Sequence, residues 1–533
     1  MKKRFSVSIT AILCVLALLV GMQLNNLFSG DTLLGEMTKF NHIISLATKN
    51  YVDEVDTQKL VEGAINGVLG ELDPHSIYIP PKELKAVNEE FQGAFEGVGI
   101  EFDVMNDTLL VVSPIPTGPS EMLGILSGDK IVKINDTSCI GIKRDDVPKK
   151  LRGPKGTHVK VSIVRVDVKD IIDFDIVRDK IPIFTVDVSF MVDKEVGYIR
   201  VNRFAAKTHD EFAQAVTKLR AQGMKELVLD LRDNPGGYLD QAFRMADDLL
   251  SAGKKIVYTK ARISTLSEEY NASGQGPLQD MPLVVLVNRG SASASEIVSG
   301  AVQDWDRGLI VGETTFGKGL VQRQYPLADN SAFRLTIARY YTPSGRLIQR
   351  PYDNKDRDAY RHTVVNEEEG ENVEHKEEND TTKPKYKTSG GRTVLGGGGI
   401  TPDYIVKAGK LTDYTVELRR KVIFLDYGTK YMETNGKKIR EEYEKDFHKF
   451  MKEFEVTDQM VSDCIEIAAK KDVKMNEEQF TTDKGFIKAY IKAQIGKSIW
   501  GNEGSFPVIL AEDRQFQKAL TLFPEAKKIS GLK

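Results

Sequence analysis

Hydrophobic positions in the first third of the chain follow two different periods. Around residues 40–47 apolar side chains recur every three or four positions, which places them on one face of a helix. The run from 159 to 165 instead alternates apolar and polar residues, as half-buried strands do. We therefore predict a helical N-terminal domain over residues 31–90 and an all-β module over residues 91–170.

Beyond the all-β module the pattern changes to nearly continuous apolar runs separated by amphipathic segments. The runs at 227–231 and 283–287 are apolar at almost every position, which is typical of strands buried on both faces of a sheet. The segment 293–305 has the spacing of a helix. This alternation predicts a layered α/β core over residues 180–352, which residues 392–407 rejoin.

Two segments outside this core differ in composition. Residues 353–391 are rich in charge and poor in apolar side chains, so they can bury little surface, and we predict a solvated insertion. Residues 408–533 combine helical spacing with many charges. They predict a helical C-terminal domain for docking, either in a homo-oligomer or with an adaptor. The whole chain is thus predicted to be a multidomain protein of the α/β (α+β) class.

The amino terminus has the pattern of an export signal. Basic residues at positions 2–4 precede a mostly apolar run over 5–22, which is close to the minimum length that spans a bilayer. Because basic residues stay on the cytoplasmic side, the rest of the chain is expected outside the cytoplasm, in the cell envelope or periplasm. We predict that residues 1–30 form an uncleaved membrane anchor. A cleaved signal peptide and a buried core helix are the alternatives.

Composition narrows the possible functions. A chain of 533 residues is too long for one hydrophobic core. The formal net charge is -3 and no basic stripe is present, so nucleic acid is not an expected partner. Cys14, Cys139 and Cys464 are far apart in sequence, a spacing that indicates neither a disulfide framework nor a zinc site. We expect no metal and no cofactor.

Candidate chemistry begins where the segment 288–296, NRGSASASE, leads from a predicted strand into a predicted helix. Such a junction can expose the hydroxyl of Ser293 beside the free N–H groups of the helix start. Those N–H groups can stabilise the negative oxygen of a tetrahedral intermediate. Ser293 and Glu296 also have the spacing of a helix capping box, which is the alternative interpretation.

A second candidate is Lys318, which lies between Gly317 and Gly319 in a strand-rich stretch. In a dry cleft a lysine loses its charge, because desolvation disfavours the ammonium form. The neutral amine can then take a proton from a serine hydroxyl in the place of a histidine. The alternative is a surface lysine on a hairpin.

A third candidate is the segment 230–238, DLRDNPGGY, which takes an apolar strand through a tight turn towards a helix. The backbone N–H of Gly236 or Gly237 could donate to an oxyanion. An ordinary strand-to-helix turn is the alternative, since paired glycines are common in such turns.

By these three segments together, the chain resembles the C-terminal processing peptidases, also called tail-specific proteases. The resemblance covers residues 35–350 and 396–406. The resemblance implies a serine endopeptidase that uses a catalytic dyad. In that family the nucleophile matches Ser293, the general base matches Lys318, and the residue that orients the base matches Gln322.

The same resemblance implies an oxyanion hole formed by the N–H of Ala294 and that of Gly236 or Gly237. It also implies a protease core of the crotonase/ClpP-like superhelical kind. The alternative function is a non-catalytic PDZ scaffold or envelope chaperone with a relic protease core. The joint presence of all three catalytic candidates argues against a relic.

The all-β module is similar to a PDZ domain placed before the catalytic core. Gly97, Val98, Gly99 and Ile100 occupy the position of the loop that holds a terminal carboxylate on successive N–H groups, while the peptide adds as a strand. A plain glycine turn is the alternative. The implied partners are proteins or peptides with free C-termini, which the enzyme processes or degrades in the envelope.

Histidines indicate no convincing Ser-His-Asp triad. His158 and His209 lie in charged surroundings, and His75, beside a proline turn, is expected to be structural. Asp304 at the end of the nucleophile helix is either a supporting residue or a carboxylate that faces water.

Overall fold

The computed structural model describes residues 32–105, 107–166, 168–352, 360, 371–374 and 382–532. The chain forms two units, and the boundary between them lies after Leu72. The first unit contains helices α1 (Thr32–Asn50) and α2 (Thr57–Gly70). No helix in the described ranges is both long and apolar enough to cross a membrane. The predicted anchor or signal peptide, residues 1–30, lies outside those ranges and stays a prediction.

The predicted N-terminal domain, residues 31–90, ends too late, because the chain from residue 73 onward belongs to the second unit. Strand β1 (Ile77–Ile79) pairs with residues 332–334 of the core, and helix α3 (Pro81–Gln92) follows it. Periodicity could not reveal this strand, because three residues are too few to show a period and the partner is distant in sequence.

The all-β module consists of β2 (Ala94–Gly97), β3 (Ile100–Met105), β4 (Thr108–Pro114), α4 (Pro119–Met122), β5 (Lys130–Ile134), β6 (Thr137–Ser138), α5 (Val147–Leu151), β7 (His158–Val164), β8 (Ile172–Val177) and β9 (Asp179–Pro182). Its main sheet has the order β3-β4-β5-β7-β8, and β2 pairs with β9. Leu109, Val161 and Ile163 belong to its own buried cluster. The predicted end at residue 170 is too early, because β8 pairs with β7 and closes the sheet.

The core elements are β10 (Val186–Met191), β11 (Val196–Val201), α6 (Thr208–Ala221), β12 (Glu226–Asp230), α7 (Leu239–Leu249), β13 (Lys255–Ala261), β14 (Glu269–Asn271), β15 (Leu283–Val287), α8 (Ala294–Asp304), β16 (Leu309–Gly312), β17 (Leu320–Pro326) and β18 (Ala332–Tyr341). The central sheet has the order β10-β11-β12-β15-β16, and its strands from β11 onward are parallel. Phe212, Met245 and Val298, on α6, α7 and α8, bury their side chains in one cluster with this sheet. A second sheet has the order β1-β18-β13-β14, and β17 also pairs with β18.

The predicted charged insertion, residues 353–391, lies largely outside the described residues. Its last part is ordered as a hairpin of β19 (Lys385–Lys387) and β20 (Thr393–Leu395), so the boundary predicted after residue 391 cuts through paired strands. The chain then adds β21 (Tyr404–Ile405) in parallel to β16 at the end of the central sheet, which accounts for the predicted return to the core.

The C-terminal helices are α9 (Asp413–Arg420), α10 (Ile423–Tyr443), α11 (Phe447–Glu453), α12 (Asp458–Lys470), α13 (Glu477–Trp500), α14 (Asn502–Ala511), α15 (Arg514–Leu520) and α16 (Phe523–Ile529). The earlier helices share a cluster that includes Phe424, Phe450 and Ile491. In contrast, α15 and α16 bury Phe516 and Phe523 against the central sheet.

The predicted single C-terminal domain, residues 408–533, therefore divides into two parts. The face of the central sheet opposite α6–α8 carries Val228, Val284 and Leu286, and the last two helices cover these side chains. Strands that are apolar on both faces need a cover on each face, and here the end of the chain supplies the second one. These helices are thus a layer of the core rather than a docking appendage.

Candidate active site

A cavity of about 530 Å³ opens where β12 and β15 end. Ligand sites of open α/β sheets form at this carboxyl edge, because the loops that follow parallel strands meet there. The cavity is lined by all six residues that the sequence proposed for catalysis, namely Ser293, Lys318, Gln322, Ala294, Gly236 and Gly237. Residues that are distant in sequence are thus brought to one place.

Ser293 immediately precedes α8 and has a strained backbone. Its φ is 55° and its ψ is -109°, a conformation that a residue with a Cβ rarely adopts. The strain is held by neighbours: the Ser293 N–H donates to Glu296 at 2.7 Å, and the Tyr340 hydroxyl donates to the Ser293 carbonyl at 3.0 Å. Strain of this kind is maintained where the surrounding structure fixes the residue, and it presents the Ser293 side chain to the cavity.

Three serines lie within five positions, and the structure separates them. The Ser291 hydroxyl is buried and donates to the Leu231 carbonyl at 2.8 Å. The Ser295 hydroxyl is buried and donates to the Asn234 carbonyl at 2.9 Å. Of the three, Ser293 alone lines the cavity. The outer serines therefore fasten the start of α8 and the loop before it to the segment that follows β12.

The amine of Lys318 is held in a defined place. Its Nζ donates to the Gln322 side-chain oxygen at 2.7 Å, and the Gln322 amide nitrogen donates to the His75 carbonyl at 2.6 Å. The His75 ring nitrogen Nε2 lies 3.1 Å from the Tyr360 hydroxyl, and the contact of His75 with Gln322 is made by its backbone carbonyl. Gln322 is thereby oriented with its oxygen towards the lysine.

The environment of Lys318 favours the neutral amine. Burial, followed by the positive charge of Arg334, lowers the pKa of Lys318 to about 8, against the opposing effect of Glu296 and Asp73. A lysine in water has a pKa near 10.4. The amine is therefore poised to exchange a proton near neutral pH.

Glu296 connects the serine to the lysine segment. Its fully buried carboxylate accepts hydrogen bonds from the N–H groups of Ser293, Gly317 and Lys318 and from the Thr315 hydroxyl. Burial raises its pKa, and the hydrogen bonds that it accepts act in the opposite direction. The capping-box interpretation was therefore correct for the Glu296 side chain but incomplete, because the same carboxylate also fixes the strand-side loop.

The glycine turn lies directly against the serine. A Cβ at Gly236 would come within 2.8 Å of the Ala294 nitrogen and of the Ser293 Cβ, so only glycine fits there. The Gly236 N–H donates to the Asn234 side chain at 2.9 Å. Among the described residues the N–H groups of Gly237 and Ala294 have no hydrogen-bond partner. Of the two glycines, Gly237 is therefore the available donor.

The loop predicted to hold a carboxylate joins β2 to β3 in the all-β module. The carbonyls of Val98 and Gly99 accept hydrogen bonds from Ser120 and Ile115. Their N–H groups have no partner in the part of the chain that is described. Ile100 begins β3, which is an edge strand of the module's sheet, and Gly97 ends β2. The loop thus presents successive donors beside an unpaired strand edge.

The other candidates lie elsewhere. His209 pairs with Asp248 at 3.0 Å and His158 with Asp175 at 2.9 Å, and neither histidine lines the cavity. Asp304 is buried in an ion pair at 2.5 Å with Arg346, at the end of α8 that is remote from Ser293, so it does not face water. Within the described ranges no cluster of histidine, cysteine and acidic side chains could hold a metal ion.

Comparison with known protein families gives three matches. Peptidase family S41 matches residues 195–356, and the activating protease CtpB N-terminal domain matches residues 22–82. A family of unknown function matches residues 414–501, in the C-terminal helices.

Curated relatives match over longer stretches. The carboxy-terminal-processing protease of Bartonella bacilliformis is 41% identical over 318 residues, which cover 59% of this chain and 73% of that protein. A probable CtpA-like serine protease of Staphylococcus aureus is 35% identical over 342 residues, which cover 64% of this chain and 68% of that protein.

Two solved structures are similar to parts of the chain. The photosystem II D1 C-terminal processing protease is 33% identical, with a TM-score of 0.32, over 57% of this chain and 82% of that one. The PDZ domain of a carboxy-terminal protease from Vibrio cholerae, solved in complex with peptide, is 30% identical, with a TM-score of 0.16, over 16% of this chain and 97% of that one.

Proposed function

Because this chain belongs to the carboxy-terminal-processing proteases of peptidase family S41, and is thus a serine-type peptidase, we propose that Ser293 and Lys318 form its catalytic dyad. The observation that carries the proposal is the placement of the Lys318 amine. It is half-buried, donates to Gln322 at 2.7 Å, and lines the same cavity as Ser293. A relic of the fold that serves only as a scaffold or chaperone would have no need of this arrangement.

In the proposed reaction Ser293 and Lys318 act both when the acyl-enzyme forms and when water hydrolyses it. The neutral Lys318 amine takes the proton of the Ser293 hydroxyl as Ser293 attacks the peptide carbonyl. Lys318 then gives this proton to the leaving amine. In the second half of the cycle water attacks the acyl group on Ser293, and Lys318 takes a proton from this water and returns it to the Ser293 oxygen as the acyl group leaves. Gln322 keeps the amine directed at the serine. The N–H groups of Ala294 and Gly237 donate to the oxyanion, and Gly236 allows their close approach.

The all-β module is proposed to be a PDZ domain that selects substrates by their C-termini. The N–H groups of Val98 and Gly99 would hold the terminal carboxylate, and the substrate would add as a strand along the open edge of β3. The protease core is proposed to belong to the crotonase/ClpP-like superhelical folds. The core contains four parallel strands, β11, β12, β15 and β16, and a helix follows each of the first three. This alternation is compatible with that assignment.

The enzyme is proposed to act in the cell envelope. The basic and apolar pattern of residues 1–30 supports export with an anchor in the membrane. Substrates would then be exported proteins with exposed, unstructured C-termini, which the enzyme processes or degrades.

We expect the chain lacking residues 1–30 to cleave an unstructured protein such as casein at internal bonds. Cleavage should stop with serine-directed reagents and continue with chelators, because the proposed dyad uses no metal. Gel electrophoresis and mass spectrometry of the fragments provide the measurement. A folded protein that leaves casein intact over a range of pH values would favour the scaffold function instead.

Substrate choice gives a further prediction. We expect an unstructured substrate with a free, apolar C-terminus to be cleaved faster than the same chain with a C-terminal amide or a terminal Asp, because the loop holds a carboxylate and tethering raises the local concentration of the captured chain. Initial rates of the three substrates are compared at concentrations below KM. Equal rates for acid and amide would reduce the module to a structural domain.

A further inference from the structure

Two positively charged side chains line the catalytic cavity, Lys318 and Arg334. The proposed reaction accounts for Lys318 and gives Arg334 no part. Arg334 lies on β18 and is half-buried. Its surroundings indicate what the cavity is built to bind.

Arg334 has no acidic partner in the described part of the chain. Its guanidinium stacks over the Phe91 ring at 5.1 Å and donates one hydrogen bond, at 3.1 Å, to the side-chain oxygen of Gln324. The one carboxylate among the described cavity-lining residues, Glu90, lies instead 3.6 Å from Arg203. A guanidinium has five N–H donors, and the described residues use one of those of Arg334, so further donors are available to a group bound in the cavity.

This arrangement leaves a half-buried positive charge without an acidic partner in the described part of the chain. Burial lowers the pKa of Arg334 below its usual range. Arg392, which is also half-buried, is in contrast paired with two carboxylates, Asp306 at 2.6 Å and Asp403 at 2.5 Å. Removing a charge from water costs free energy unless a partner is supplied. An anion bound in the cavity, which Arg334 lines, would supply such a partner.

The strand register sets the distance of Arg334 from Gln322, the residue that contacts the proposed base. Gln324 is paired with Arg334, and Gln322 with Thr336. Residues two apart on a strand share a face, so Arg334 lies about 7 Å along the strands from the pair that contains Gln322. An extended substrate advances about 3.3 Å per residue, so for a substrate that runs along these strands past Gln322 the offset corresponds to about two residues.

We propose that Arg334 forms a carboxylate-binding subsite of the catalytic cavity and gives the enzyme a preference for a carboxylate about two residues from the bond that it cleaves. The inference rests on the proposed function, since it describes the substrate of the same site. The carboxylate is supplied either by an acidic side chain or by the terminus of a short substrate. Its pairing is a charge-assisted bond to a planar, forked donor.

The test uses quenched fluorescent peptides that differ at one position. Glu, Gln and Lys are placed in turn at each of three positions on either side of one cleavage site, with the same free, apolar C-terminus throughout so that capture by the all-β module is constant. Cleavage sites are verified by mass spectrometry. The enzymes compared are the wild type, Arg334→Gln, and the matched control Arg339→Gln, which alters an exposed arginine of the same strand outside the cavity.

We expect kcat/KM for the Glu peptide to exceed that for the Gln peptide about tenfold at one position, and Lys to be disfavoured there. Arg334→Gln should reduce this ratio to within about twofold, and Arg339→Gln should leave it unchanged. The ratio is taken within one enzyme at one pH, so it is insensitive to the effect that Arg334 has on the pKa of Lys318. The absence of a Glu preference, or its persistence in Arg334→Gln, would overturn the inference.

Two further measurements separate the remaining cases. Peptides that end two residues beyond the cleavage site, as free acid or amide, show whether a chain terminus supplies the carboxylate in place of a side chain. If no peptide is cleaved by the wild type, the proposed function fails. Binding of the Glu and Gln peptides to Ser293→Ala, with and without Arg334→Gln, is then measured by fluorescence anisotropy. This binding measurement tests the carboxylate-binding subsite without turnover, and equal binding of the two peptides would refute the subsite.

Discussion

Replacement of Ser293 by alanine is expected to abolish peptide hydrolysis while the protein remains folded. The side chain lines the cavity, and the backbone strain of this residue is held by contacts of its N–H and carbonyl, which alanine retains. Loss of the nucleophile of a nucleophile–base unit lowers kcat by about 10³ to 10⁶. Initial rates on a quenched peptide measure the loss, and thermal unfolding measures stability.

Alanine at Ser295 is the matched control. Its hydroxyl is buried and donates to the Asn234 carbonyl, which also accepts the Ala292 N–H, so its removal costs one hydrogen bond, about 0.5–1.5 kcal/mol of unfolding free energy. We expect a lower melting temperature with a measurable fraction of the activity. If Ser293→Ala lowers stability by only the cost of a lost helix cap, about 1 kcal/mol, and still cleaves, the residue is a cap and not the nucleophile.

Replacement of Lys318 by methionine is expected to have a comparable effect. Methionine retains most of the aliphatic stem but has no amine to accept the proton of Ser293. We expect a loss of about 10³ to 10⁶ in kcat with little change in folding. Lys254→Met is the matched control, because Lys254 is likewise a partly buried lysine whose pKa is lowered by burial, and it lies over the Trp305 ring outside the cavity.

The pH dependence follows from the sign of the shift at Lys318. Only the neutral amine is a base, and the pKa of Lys318 is lowered to about 8. In the wild type, kcat/KM should therefore rise about tenfold per pH unit below pH 8 and level off above it. The charge of Arg334 contributes to this lowering, so Arg334→Gln should move the rise to higher pH. A wild-type profile that is flat between pH 6 and pH 9 would contradict Lys318 as the base.

The sequence predicted the candidate catalytic residues of the site better than the residues that position them. Ser293, Lys318 and the glycine turn lie in short segments whose local pattern is distinctive. The supporting contacts are long-range: the Tyr340 hydroxyl to Ser293, and the His75 carbonyl to Gln322. Neither contact leaves a local signal, because one comes from a strand that pairs elsewhere and the other uses a backbone carbonyl that every residue has.

Glu296 shows why a correct local interpretation can be incomplete. Its spacing from Ser293 indicates a capping box, and the side chain does accept the Ser293 N–H. Its second role, with Thr315 and the two residues after Phe316, depends on a loop brought beside α8 by the order of the strands. Periodicity identifies strands but not their neighbours, so the second role could not be predicted.

The domain boundaries failed for a similar reason. The predicted boundaries separated β1 and β8 from their sheets. Strand β1 is only three residues long and its partner is distant in sequence. Strand β8 lies beside a change in composition and pairs with β7 across a turn. The last helices were assigned to a docking domain because their charges are visible in the sequence and the sheet that they cover is not.

The position of α15 and α16 has a consequence for how the enzyme is made. A ribosome produces this chain from its amino end, so the central sheet and every residue of the cavity are synthesised before Phe516 and Phe523 can cover the sheet's second face. Until then, strands that carry the catalytic loops expose an apolar surface to water. The nascent protease therefore lacks a finished core until α15 and α16 have been translated, and a stop codon before Arg514 removes that layer while leaving every catalytic side chain encoded.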